Sequence, residues 1–172
     1  MKWWAWSFLC VGLAVTVTLP APAQETKDPA QLQVVKYGGL KDVIHKNRGK
    51  VILVDFWADY CIPCKKGFPH VIDMHKKYAR DGLVTVSVSL DPIDDPGSRE
   101  NAARFLKKAG ADFTNLYLDE PVDVWQKKLG FAGPPCYFVF NRQGQWTKFE
   151  PRDNEPIYEA LDKFVVERLR EK

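Results

Sequence analysis

Two stretches of this chain are dominated by apolar residues: residues 51–57, Val-Ile-Leu-Val-Asp-Phe-Trp, and residues 83–90, Leu-Val-Thr-Val-Ser-Val-Ser-Leu. Both are rich in β-branched residues and bounded by turn formers, the pattern of buried strands. Elsewhere the apolar spacing lengthens. Over residues 40–46, Leu40, Val43 and Ile44 share one face, which predicts an amphipathic helix ended by Gly49. Further helices are predicted over 62–80, over 98–109 with Ser98 as N-cap, over 122–129 before Gly130, and over 155–170. Pro69 falls inside the second of these and should kink it. Shorter strands are predicted over 32–36, 113–118, 137–140 and 145–149, the last two joined by a turn at Asn141-Arg142-Gln143-Gly144. Strand and helix signals alternating through 172 residues imply one α/β domain with its own core.

The first 31 residues stand apart. Met1-Lys2 precedes an uncharged apolar run from Trp3 to Leu19 and then Ala21-Pro22-Ala23, the form of a signal peptide over residues 1–23. The run is long for such a segment, so an uncleaved membrane anchor is the second expectation. Residues 24–31 read as a linker to a domain over 32–172. Export would place that domain in an oxidising compartment, periplasmic or extracytoplasmic, where disulfides persist. The formal charge of +3 comes from 25 basic and 22 acidic residues that are interspersed. A nucleic-acid surface would need a basic stripe, so nucleic acid is not an expected partner. Lys65, Lys66, Lys76 and Lys77 read as a solvated helix face.

Cys10 would leave with the leader, and Cys61, Cys64 and Cys136 remain. Three thiols are too few for a disulfide scaffold. Cys61 stands where a buried strand gives way to a helix, and the unpaired N–H groups of that helix end favour an anion. Thiolate is the nucleophile, so Cys61 is the activated sulfur. Cys64 lies one helical turn on, close enough to close a disulfide with it and act as resolving thiol. Pro63 between them suits a first helical turn. The alternatives are a structural disulfide in a redox-silent binding module, or a copper(I) metallochaperone using Cys61, Cys64 and Cys136. A c-type haem site would need His where Lys65 stands, and a zinc site would need a second cysteine pair. Cys136 is expected near the redox pair, as a small buried hydrophobe. Asp55 interrupts an apolar strand, where a carboxylate is costly unless protonated or bonded. Asp59, His70 and His75 read as surface residues, and His45 carries no chemistry.

The segment Val54-Asp55-Phe56-Trp57-Ala58-Asp59-Tyr60-Cys61-Ile62-Pro63-Cys64-Lys65 resembles the active site of thioredoxins, and Gly133-Pro134-Pro135-Cys136-Tyr137-Phe138 resembles their cis-proline strand. The longer stretch between them is more similar to the TlpA-like extracytoplasmic thiol:disulfide oxidoreductases. That resemblance implies a thioredoxin fold, a central mixed β-sheet flanked by helices, with an extra αβ segment before the cis-proline strand. It implies catalysis by Cys61, Cys64 and Asp55, the last as the acid-base group. It implies substrate contacts from Trp57, Tyr60, Pro63, Pro134 and Pro135, with Pro135 cis. It implies no metal or organic cofactor, protein disulfide substrates such as apocytochrome c or other exported proteins, and a membrane thiol donor. Two departures stand out. Pro134 removes a backbone N–H that family members offer to substrate, and Gly67 stands where the TlpA-like group more often has Glu.

Overall fold

The computed structural model describes residue 1, residues 31–151 and residues 157–171. The expected leader and nearly all of the linker lie outside the described residues. Eleven regular elements follow in order: β1 (Leu32–Val35), α1 (Tyr37–Lys46), β2 (Val51–Trp57), α2 (Ile62–Tyr78), β3 (Leu83–Ser89), α3 (Ser98–Ala109), β4 (Thr114–Leu118), α4 (Val122–Leu129), β5 (Cys136–Phe140), β6 (Trp146–Phe149) and α5 (Ile157–Arg170). They build one mixed sheet in the order β1-β4-β3-β2-β5-β6. The first four of these strands run parallel, and β5 and β6 are antiparallel to their neighbours. No helix among the described residues is long and apolar enough to cross a membrane.

Burial on both faces explains the apolar runs. All seven residues of β2 are buried, because α2, α3 and α5 cover one side of the sheet and α1 and α4 the other. Successive side chains alternate between these layers. Leu53 and Trp57 therefore face α2, while Ile52, Val54 and Phe56 face α1 and α4. The added segment is α3, β4 and α4. It inserts β4 between β1 and β3 and stands α3 beside α2.

Three local expectations need correction. Helix α1 begins at Tyr37, three residues before the periodic signal, through Gly38 and Gly39. A Cβ on Gly39 would lie 3.0 Å from the Val35 Cβ, so this glycine permits a tight exit from β1 and does not break the helix. Ser98 is the first residue of α3 and not its cap: Gly97 occupies that position. The Ser98 hydroxyl instead donates to the Pro92 carbonyl at 2.8 Å and shares a hydrogen bond of 2.7 Å with the Tyr117 hydroxyl. His70 and His75 are half-buried: His70 pairs with Asp162 of α5 at 3.1 Å, and His75 meets the Thr85 hydroxyl at 3.3 Å.

Candidate active site

The redox pair sits where β2 hands over to α2. Cys61 and Cys64 are joined by a disulfide with their Cα atoms 5.3 Å apart. Cys61 is the N-cap of α2, and its Sγ accepts the Cys64 backbone N–H at 3.2 Å. That N–H is one of the orphan donors at the start of the helix, so charge on Cys61 Sγ would be met by a donor and the positive end of the helix dipole. Lys65 N–H closes the first turn on the Cys61 carbonyl at 3.1 Å. Cys61 is the more accessible sulfur residue, 7% exposed against 2% for Cys64. Tyr60 at 61% and Ile62 at 65% exposure stand on either side of Cys61 and make an apolar rim around it.

Four of the five expected substrate-contacting residues reach this surface or its edge. Tyr60 and Pro63 are exposed, and Pro134 and Pro135 are half-buried, with the bond between them cis. The β2/β5 register pairs Phe56 with Cys136, which sets Pro135 level with Trp57, where the cysteine loop departs. Trp57 is different. It is fully buried, its ring 5.5 Å from Phe68 and 4.9 Å from Phe105, in the same apolar layer as the two cysteines.

Cys136 also needs correction. It belongs to the apolar layer with Phe56 and Leu40, on the far side of the sheet from Cys61 and Cys64. Burial pushes its thiol up to about 12, so at neutral pH it is an inert, protonated group. The alternation of β5 that turns Cys136 away brings Tyr137 to the α2 side, next to Asp55 in register.

Asp55 is 2% exposed, and its Oδ1 has no hydrogen-bond partner among the described residues. Desolvation raises its pKa from 3.8 to about 8, so the folded protein holds this carboxyl largely protonated at neutral pH. The Tyr137 hydroxyl is pushed well above the usual phenol range by burial first, then by Asp55 and Tyr158. Tyr158 reaches in from α5, and its hydroxyl oxygen stands where a Cβ on Gly67 would have to go. Gly67 is thus empty of side chain because a phenol from α5 fills the space.

Two more carboxylates stand beside this site: Asp91, unremarked as a site residue in the sequence, and Asp59, expected at the surface. Asp91, at the end of β3, is buried and accepts the Asp59 backbone N–H at 2.8 Å and the Ser89 hydroxyl at 2.7 Å. Burial raises its pKa, against the pull of those two bonds. It fixes the loop that leads into Cys61. Asp59, expected in solvent, is half-buried, and its carboxylate pairs with Lys65 at 2.8 Å. The signal for Asp91 was its place at the carboxyl end of a central strand, where α/β sheets gather functional groups.

A family model described as thioredoxin-like matches residues 49–146, more than half of the chain and the whole span from β2 to the start of β6. The chain belongs to the thioredoxin-like family. Protein DipZ of Mycobacterium tuberculosis is 46% identical over 92 residues, which are 54% of this chain and 13% of DipZ. The thiol-disulfide oxidoreductase ResA of Bacillus subtilis is 30% identical over 101 residues, 59% of this chain and 52% of ResA. The chain therefore spans a small part of DipZ and about half of ResA. A crystal structure from Chlorobium tepidum, described as a thiol:disulfide interchange protein DsbE, superposes with a TM-score of 0.58 at 30% identity. That match covers 73% of this chain and 84% of the other.

Proposed function

We propose that this protein is an exported thiol:disulfide oxidoreductase that cycles Cys61 and Cys64 between dithiol and disulfide, working chiefly as a reductase of protein disulfides. The observation that carries this reading is Cys61 as the N-cap of α2, more accessible than Cys64 and bonded to it. The Cys61 thiolate attacks one sulfur of a substrate disulfide, and the other substrate sulfur leaves as thiolate and takes up a proton. Cys64 then loses its proton and attacks Cys61 Sγ. The second substrate thiol departs, and the protein keeps the Cys61–Cys64 bond while the substrate has gained two electrons. Asp55, buried beneath α2, is the proposed acceptor for the Cys64 proton in the fraction of molecules in which it is ionised, so the resolving step should quicken as pH rises toward 8. Its high pKa matches that of a thiol, which makes transfer between them nearly balanced.

The name of ResA supports disulfide chemistry, and the apolar run ahead of Ala21-Pro22-Ala23 supports export. No His stands between the cysteines to stabilise the thiolate further, which favours reduction over oxidation of substrates. Exported proteins with reducible disulfides, apocytochrome c among them, are the proposed substrates, and a membrane-embedded thiol carrier the proposed donor. A copper(I) site of three thiols would need Cys136 to leave the opposite layer of the sheet. Insulin reduction driven by a chemical dithiol tests the proposal. Turnover that disappears in Cys61→Ser supports it; no turnover by the wild type, or stoichiometric tight copper(I) binding by the reduced protein, would replace it.

A further inference from the structure

A groove of about 500 Å³ opens beside the redox pair, between α2 and the added helix α3. Its α2 wall carries Lys65, Phe68 and Pro69, which share the helix face that Cys61 begins, at spacings of four, seven and eight residues. Its α3 wall carries Asn101, Arg104, Phe105 and Lys108, again one face. The floor is aromatic: Phe68 and Phe105 meet with ring centroids 5.1 Å apart, over Trp57. The charge is one-sided. Asp59 is the one carboxylate that lines the groove, and it is taken up by Lys65 at 2.8 Å. Arg104 and Lys108, both exposed and one turn apart, have no carboxylate partner among the described residues. Two like charges at this spacing repel each other.

We infer that this groove selects disulfide substrates whose cysteine is flanked by acidic residues, with Arg104 and Lys108 as the specificity-determining cations. The inference rests on the disulfide-exchange reading above. Position and charge argue for it together. Cys61 does not itself line the groove: Lys65, the first α2 residue that does, stands about 6 Å along the helix from it, and Pro69 about 12 Å. An extended chain advances roughly 3.3 Å per residue, so a segment whose cysteine meets Cys61 would set residues three and four positions away between α2 and α3. An apolar side chain there rests on Phe105, and a carboxylate meets two unpaired cations. Pro134 adds a reason for a second anchor, because it offers substrate no backbone N–H beside the cis-proline.

The test uses symmetrical disulfide dimers of short peptides with Glu-Glu, Gln-Gln or Lys-Lys three and four residues from the cysteine, on either side. Single-turnover reduction by the reduced protein should favour the Glu dimer over the Gln dimer by about fivefold at low salt. The preference should shrink at high salt, vanish in R104Q/K108Q and pass to the Lys dimer in R104E/K108E. Equal rates for Glu and Gln dimers in the wild type, or a preference that survives R104Q/K108Q, would overturn the inference. Fluorescence anisotropy of the same peptides with serine for cysteine, on oxidised protein, reads the groove without the chemistry. Charge-selective binding that R104Q/K108Q abolishes, with no dimer reduced, would uphold the groove and sink the exchange reading. Reduction of all dimers alike without selective binding would do the reverse.

Discussion

Replacing Asp55 by Asn should stabilise the oxidised protein at neutral pH, and by an amount that depends on pH in a specific way. Asp55 has a folded pKa of about 8 against 3.8 for the free side chain, because burial penalises the charged form. Between those values the folded state holds a proton that the unfolded state has released. Unfolding then releases a proton, and stability falls by about 1.4 kcal/mol per pH unit as pH climbs from 3.8 toward 8. At pH 7 the accumulated cost is about 4 kcal/mol, reduced by whatever water reaches the site. Asn cannot ionise and escapes this cost. Its amide has unmet hydrogen-bonding needs in the same place, which takes back about 1–3 kcal/mol. The net expectation at pH 7 is a gain of about 1–3 kcal/mol for the Asn variant. The difference should be absent or reversed near pH 4, widen through pH 7, and level off above pH 8. Asp91, whose pKa is also raised, titrates in both proteins and cancels in the difference. Denaturant unfolding of the two oxidised proteins from pH 4 to 9 reads it directly. An Asn variant that is less stable at every pH, or a difference flat in pH, would mean that Asp55 is a bonded structural carboxylate, and the acid-base role would fall with it.

Cys136→Ala should keep most disulfide reductase turnover and lose about 1 kcal/mol of packing, since this thiol faces the opposite layer from the pair; a large fall in turnover at unchanged stability would refute that. Gly67→Ala should destabilise by about 1–3 kcal/mol, because the new Cβ displaces the Tyr158 phenol, and the effect should largely disappear in a Tyr158→Ala background. A full additive loss in that double mutant, measured by denaturant unfolding, would show that Tyr158 is not what occupies the space.

Much of this architecture was legible because the signals were local. The apolar runs of β2 and β3, the glycines after α3 and α4, and the Pro-Pro before β5 each determine structure within a few residues. What escaped depends on partners distant in sequence. The early start of α1 was hidden by Gly38-Gly39, poor helix formers whose value lies in clearance from Val35. Ser98 carries a capping residue's side chain, yet its hydroxyl serves Tyr117, 19 residues on, and the carbonyl of Pro92. His70 finds Asp162 across 92 residues. At the site, the cysteines announced themselves through spacing, and Asp55 through its contrast with an apolar strand. Asp91 did not, because an Asp before Pro reads equally well as a turn. The side of the sheet on which Cys136 lies follows from register with β2, and a residue beside Pro135 in sequence can still face away from the pair.

The claim on which the rest depends is that Cys61 attacks and Cys64 resolves. Its most direct measurement is covalent trapping. Reduced Cys64→Ser and Cys61→Ser proteins are each mixed with a protein disulfide substrate, quenched with acid, and the adducts mapped by mass spectrometry. Cys64→Ser should accumulate a mixed disulfide through Cys61, while Cys61→Ser, left with the less accessible sulfur away from the capping position, should accumulate almost none. Equal trapping by the two variants, or adducts formed chiefly through Cys64, would contradict the account.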